Sequence, residues 1–142
     1  MKEITGNIWD HHAAAILALT TNGHVTKTGK AIMGRGVAAQ AAKRFSSLPE
    51  RLGQAIAQGG NHVHFLGENL VSFPVEHSPL EAPDLQLIEQ SARELAALAE
   101  AQGWASIIVP RPGCGGGGLS WDVVKPLLEA CFDDRFTVIS AP

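Results

Sequence analysis

Six short apolar runs, at residues 2–5, 14–21, 62–66, 69–73, 106–109 and 136–140, alternate along the chain with longer stretches of helical periodicity. Gly, Pro, Asn and Asp punctuate the runs, and each reads as a strand. The clearest helix spans 84–102: Leu85, Ile88, Ala92, Leu95 and Ala99 step by three and four, Glu89 and Arg93 pair at i,i+4, and Gly103 follows as a stop. Further helices are expected over 37–45 and 49–58, interrupted around Ser46 and Ser47, and from Ser120 to about Cys131, where Pro126 is expected to kink the last one. Strands alternating with helices of this length predict an α/β domain with a largely parallel or mixed central sheet and helices on both faces. Ligands of such sheets bind outside the carboxyl ends of the strands.

Glycines gather at those ends. Residues 110–121 read PRPGCGGGGLSW and directly follow the apolar SIIV. Glycine loses more conformational freedom on folding than any other residue, and a plain turn needs only one or two of them. Gly113, Gly115, Gly116, Gly117 and Gly118 together point to another use. A strand, a glycine loop and a helix opened by Ser120 present backbone N–H groups and a helix N-terminus to one point, which suits an anion, above all phosphate. A second cluster, GKAIMGRGVAAQAAKRF, sets Gly34 and Gly36 ahead of a helix and behind a strand that ends in Thr20-Thr21-Asn22-Gly23. Two such loops can embrace a diphosphate. Neither GxxxxGK(S/T) nor GxGxxG with a later acidic residue is present, which argues against an ordinary ATPase or dinucleotide-dependent dehydrogenase.

Length and charge narrow the class. A chain of 142 residues, 45% hydrophobic and 18% charged, fits one compact domain over residues 1–142. Its formal charge of −3 gives no general pull toward nucleic acid or anionic membrane, so such a pull would need a local basic patch. Cys114 and Cys131 are too few for a disulfide framework and lack zinc-site spacing, which fits a reducing, cytoplasmic setting. His11 and His12 have no partners at ligand spacing, and His62 and His64, on one face of an expected strand, lack a third ligand, so no metal is expected. The opening MKEITGNIWD is unlike a signal peptide, and no apolar run approaches the ~20 residues of a membrane span, so a soluble protein without a membrane partner is expected.

The ordered set Gly6-Asn7-Ile8, Thr21-Asn22, Met33-Gly34-Arg35-Gly36-Val37-Ala38, Ser72-Phe73-Pro74, and Pro110-Arg111-Pro112-Gly113-Cys114-Gly115 through Leu119-Ser120-Trp121 resembles a macrodomain, from residue 4 to about 139. Within that family of ADP-ribose-binding modules, it is most similar to the branch of terminal ADP-ribose glycohydrolases and antitoxin macrodomains that remove ADP-ribose from DNA. The resemblance implies a three-layer α-β-α fold with a mixed, largely parallel central sheet of about six strands, ADP-ribose as ligand or product, and no cofactor. It places Gly6, Asn7 and Ile8 at the adenine, where the family usually has Gly-Asp-Ile and the acid accepts a hydrogen bond from the adenine amino group. The Asn7 amide oxygen still accepts, without the charge. Asn22 matches an asparagine near the distal ribose. Met33, Gly34, Arg35, Gly36 and Val37 match the loop along the diphosphate and that ribose, and Gly113, Cys114, Gly115, Gly116, Gly117 and Gly118 match the loop clasping the diphosphate from the other side.

The chain departs from the family at the reacting end. In the related glycohydrolases a lysine after Phe-Pro attacks or polarises the anomeric carbon, and here SFPVEH puts Glu76 in its place. Gly117 stands where one subgroup has an assisting aspartate, so that mechanism does not transfer. Glu76 and His77 are the remaining ionisable candidates: a carboxylate there can act as general base or stabilise oxocarbenium character, or the two can form an exposed pair in a loop leading to Pro79. Asn22 can position water or a ribose hydroxyl, or simply form the turn before Gly23. Arg35 can contact phosphate or be a solvated surface arginine. A helix N-terminus can lower the pKa of Cys114, with a small packing residue as the plainer reading, and Trp121 is expected as a core anchor beneath the loop.

Three functions remain in view. One is a hydrolase that removes terminal ADP-ribose from a DNA base or a protein side chain. The second is a reader that binds ADP-ribose without turning it over, and the third is an ADP-ribose-1″-phosphate phosphatase. The lost lysine favours the reader, a free-standing domain favours the enzyme, and the balance leans toward the hydrolase, for which a monomer suffices.

Overall fold

The computed structural model describes residues 1–142. Its elements in chain order are β1 (Lys2–Thr5), a short 3₁₀ helix (Ile8–His11), β2 (Ile16–Asn22), α1 (Gly36–Arg44), α2 (Leu48–Gly59), β3 (Phe65–Gly67), β4 (Leu70–Glu76), α3 (Leu85–Gln102), β5 (Ile107–Pro110), α4 (Trp121–Glu129) and β6 (Phe136–Ser140). The strands form one sheet in the order β1-β6-β5-β2-β4-β3. Every pairing is parallel except that of β3 with β4.

The layering follows from the two-residue period of the strands. Leu17 and Leu19 of β2 face one side, where they meet Ala38 and Ala41 of α1 and Leu48 and Leu52 of α2. Ile16 and Ala18 face the other, with Ile88, Ala92 and Leu95 of α3 and Val124 and Leu128 of α4. Two cores back to back across one sheet make the three layers. Parallel strands covered on both faces read as continuous apolar runs, and all seven residues of β4 are buried. Helix α3 begins where Asp84 accepts the Gln86 N–H at 2.9 Å and ends at Gly103, whose φ of 69° suits a left-handed cap. No helix is long and apolar enough to cross a membrane.

Two strands differ from the sequence expectation. β4 does not stop at residue 73 but continues through Pro74 to Glu76. Proline lacks a ladder N–H, and the pairing with β2 shifts register there, with Thr21 opposite Pro74 and Asn22 opposite Glu76. A bulge is where a sheet tolerates proline. The run at 62–66 shrinks to β3, and His62 and His64 precede it instead of sharing a strand face. The Ser72 hydroxyl donates to the His62 carbonyl at 3.0 Å and accepts the His64 N–H at 2.9 Å, so a side chain does part of what a ladder would.

Candidate functional site

The extra length of β4 brings Glu76 to the sheet edge where β1, β6, β5 and β2 also end. A cleft of about 820 Å³ follows that edge from Gly6 and Ser140, past Pro110 and Thr20, to Glu76. Four inter-strand steps separate β1 from β4, or ~19 Å at the usual spacing. The ends differ in chemistry. Ile8, Ile139, Pro142 and Trp121 line the end at β1 and β6, and Arg35 and Glu76 line the end at β4.

Between those ends lies the glycine loop ahead of α4. Its shape is set by the Cys114 N–H donating to the Arg111 carbonyl at 3.3 Å and the Leu119 N–H donating to the Gly113 carbonyl at 2.9 Å, while the N–H groups of Gly115, Gly116 and Gly117 have no acceptor in the protein. The fold itself needs glycine at some positions and not others. Gly113 has φ 72°, and a Cβ there would lie 2.8 Å from the Leu119 side chain; at Gly117 a Cβ would lie 2.6 Å from the Gly113 carbonyl. At Gly115 and Gly116 a Cβ would meet nothing within 4 Å. Packing therefore explains two of these glycines, and the open cleft is the only surrounding of the other two. Across the cleft, α1 starts without a side-chain cap and without an acid in its first turn, so its first N–H groups and the positive end of its dipole are unopposed.

At the β4 end, Glu76 is buried, with 9% of its surface exposed. One guanidinium nitrogen of Arg35 donates to both of its carboxylate oxygens, at 3.4 and 3.2 Å, so Glu76 is not the exposed loop side chain that one expectation allowed, while Arg35 pairs with it from the surface, its side chain 62% exposed. Asn61 fixes the backbone by donating to the Glu76 carbonyl at 3.1 Å. His77 is separated from Glu76: it does not line the cleft, and its Nε2 pairs with Asp84 Oδ2 at 2.8 Å. That pairing and the Gln86 N–H hold the Asp84 carboxyl below its ordinary range.

Asn22 also stays off the cleft wall. Its amide nitrogen donates to the Ile32 carbonyl and its oxygen accepts the His24 N–H, both at 3.0 Å, so both ends of the amide are engaged in shaping the loop behind α1. Of the other expected site residues, Gly6, Asn7, Ile8, Arg35, Gly36, Val37 and the stretch from Gly113 to Gly117 line the cleft, and Met33, Gly34 and Gly118 do not. Met33 is a core side chain.

At Cys114 the plainer expectation of a small packing residue fits, since the side chain packs against the core. Burial pushes the Cys114 thiol above its ordinary value, against the lowering pull of Arg111, and the thiol donates to the Pro112 carbonyl at 3.4 Å. Trp121 packs against the core, as expected, and also forms a half-buried wall of the cleft, with its indole N–H on Glu3 at 2.9 Å and the Arg111 guanidinium 4.9 Å from its ring centroid. Lys125 and Trp121 hold the Glu3 carboxyl low. Gln40 and Arg111 also line the cleft. The signal for these was positional: Gln40 lies one turn into the helix after Gly34 and Gly36, and Trp121 opens the helix after the Gly113–Gly118 loop.

A three-layer fold with this strand order, cut by a glycine-walled cleft across the carboxyl edge of the sheet, is that of a macrodomain. In particular, the chain is similar to the macrodomain of Mycobacterium tuberculosis DarG, with a TM-score of 0.76 at 25% sequence identity over 100% of this chain and 99% of that one. The macrodomain of Thermus aquaticus DarG matches with a TM-score of 0.78 at 21% identity, over 99% and 97% of the two chains. Thermosipho africanus DarTG in complex with ADP-ribose matches with a TM-score of 0.76 at 20% identity, over 100% of this chain and 42% of that one. No protein-family model matches the chain, and no curated protein sequence does.

Proposed function

We propose that the chain binds ADP-ribose in this cleft and hydrolyses the bond between a terminal ADP-ribose and the macromolecule that carries it. The layout of the cleft carries the reading. Its apolar end suits a base, the free N–H groups of Gly115, Gly116 and Gly117 opposite the open start of α1 suit two phosphates, and the Arg35–Glu76 end suits a second, polar sugar. The similarity to a DarTG solved in complex with ADP-ribose supports the same assignment.

In this reading Glu76 is the catalytic residue. As the bond from C1″ to the leaving group breaks, positive charge develops at the ribose, and a fixed carboxylate in a site shielded from bulk water stabilises it more than water would. Water then adds its oxygen to C1″ and gives up a proton, for which Glu76 is the adjacent base, and the leaving group departs with the bonding pair and is protonated. Arg35 keeps the carboxylate aimed. His77 and Asn22 act at a distance, by closing the loop after β4 and shaping the loop before α1.

Charge favours DNA over protein as the carrier. Residues 11–49 hold five of the eleven Lys and Arg side chains and none of the fourteen Asp and Glu. The same segment supplies Arg35, Gly36, Val37 and Gln40 to the cleft wall. Of the five cations only Arg35 lines the cleft; the others make the segment basic on an otherwise acidic chain, and a local excess of positive charge is what a polyanion needs. The test is product analysis after incubation with an ADP-ribosylated oligonucleotide, an ADP-ribosylated protein and ADP-ribose-1″-phosphate. Free ADP-ribose released fastest from the oligonucleotide is expected. Faster release from the protein overturns the choice of carrier, phosphate release from the third substrate alone makes it a phosphatase, and tight binding with no turnover makes it a reader.

A further inference from the structure

We infer that Arg35 serves two anions at once: one nitrogen holds Glu76, and the rest of the guanidinium takes a backbone phosphate of a DNA carrier beside its modified nucleotide. This rests on the proposed reading of the cleft and names the group that recognises the carrier at the reacting end. Nη2 alone meets Glu76, at 3.4 and 3.2 Å from the two carboxylate oxygens. Arginine–carboxylate pairs are strongest fork to fork, through two nitrogens. This pair forgoes that geometry and leaves Nε and Nη1 without a partner in the protein. No neighbouring side chain in the loop shelters them, because Gly34 and Gly36 flank Arg35. The backbone beneath is fixed, with the Arg35 carbonyl accepting the Ala39 N–H at 3.2 Å as α1 begins.

The free face of the guanidinium stands where a carrier passes. In the proposed reading the bond to be broken lies at Glu76, so the carrier leaves the cleft at the β4 end. Arg35 is the one Lys or Arg side chain lining that end; Arg111, which also lines the cleft, lies over the Trp121 ring at 4.9 Å with Glu3 at 3.9 Å. The Arg35–Glu76 pair is neutral as a whole. The charge that draws a polyanion toward it comes from the acid-free stretch 11–49, where Lys27, Lys30, Lys43 and Arg44 are the other cations. A planar guanidinium carries N–H groups on more than one edge and can bridge a carboxylate and a phosphate in fixed geometry, which the point charge of a lysine does not.

The experiment uses an oligonucleotide ADP-ribosylated on one base, with the phosphates flanking that nucleotide either natural or replaced by uncharged methylphosphonates. Wild type should show a kcat/KM lower by about fivefold or more on the methylphosphonate form. Arg35→Gln should treat the two forms alike within about twofold, with ADP-ribose affinity within about threefold of wild type. Thermal melting checks its fold, and if it turns over neither form, the comparison is read from its affinities for the two oligonucleotides. The wild-type comparison needs no variant at all. A smaller difference in wild type, or the wild-type ratio retained in Arg35→Gln, overturns the inference. So does a loss of ADP-ribose affinity beyond about threefold in Arg35→Gln, because the free N–H groups then serve the ligand's own diphosphate. Failure of wild type to release ADP-ribose from the natural oligonucleotide overturns the proposed reading itself, and the inference with it.

Discussion

Gly113 and Gly116 sit in one loop and answer to different demands. At Gly113 a side chain faces both a left-handed backbone and the Leu119 side chain 2.8 Å away, so Gly113→Val should cost about 2 kcal/mol or more in chemical denaturation. At Gly116 nothing in the fold resists a side chain. Gly116→Val should therefore keep stability within about 1 kcal/mol while a branched side chain stands in the cleft and weakens ADP-ribose binding by about tenfold or more. Equal losses of stability in the two variants would make the whole loop structural. Glu76→Gln keeps the size of the side chain and removes its charge. ADP-ribose affinity should stay within a few-fold and turnover should fall by ~10²–10⁴, whereas His77→Gln, away from the cleft, should leave turnover nearly unchanged. Full activity in Glu76→Gln would place the reacting group elsewhere.

The acid-free segment before and through α1 bears on the choice of carrier. Lys27 and Lys43 are exposed, and neither has an ion-pair partner among the salt bridges of the chain. Reversing each to Glu should lower kcat/KM on the modified oligonucleotide with ADP-ribose affinity unchanged. Its salt dependence should flatten by about one unit of logarithmic slope for each DNA phosphate that is no longer neutralised. An unchanged salt slope would remove this segment from the DNA-facing surface. Helix α3 was legible because its apolar period, its Asp84 cap and its Gly103 stop agree. The end of β4 was not, because Pro74 reads as a strand terminator and only pairing with β2 reveals the bulge that accommodates it. That difference matters for the site, since the placement of Glu76 depends on β4 running past the proline. His62 and His64 mislead for a related reason: a two-residue period occurs equally in a strand and in a loop tied down by a distant serine.

Over the whole molecule, four carboxyls titrate below their ordinary values of 4.5 (Glu3, Glu94) and 3.8 (Asp84, Asp133). Lys125 lowers Glu3, His77 lowers Asp84 and Arg135 lowers Asp133; at Glu94, burial pushes upward and is outweighed by the Val63 N–H, Gln90 and His62. A carboxyl whose folded pKa is depressed adds stability above its unfolded pKa and loses it as pH falls through the folded value. Melting temperature should therefore drop as pH is lowered from about 5 toward 3, and Asp84→Asn, which keeps the cap, should show a shallower drop. A melting temperature flat over that range would contradict these pairings. At this scale helices on both faces of a largely parallel or mixed sheet were legible from alternation alone, and the glycine clusters located the cleft. The division of labour among the glycines and the inward or outward aim of Asn22, His77 and Trp121 depend on contacts between distant segments, which no local pattern encodes. A cleft built for a diphosphate with a sugar beyond it must distinguish ADP-ribose from AMP, and calorimetric titration with the two ligands measures that difference. ADP-ribose should bind about tenfold tighter or more, because AMP leaves the second phosphate site and the Arg35–Glu76 end unfilled; equal affinities for the two would contradict the diphosphate assignment.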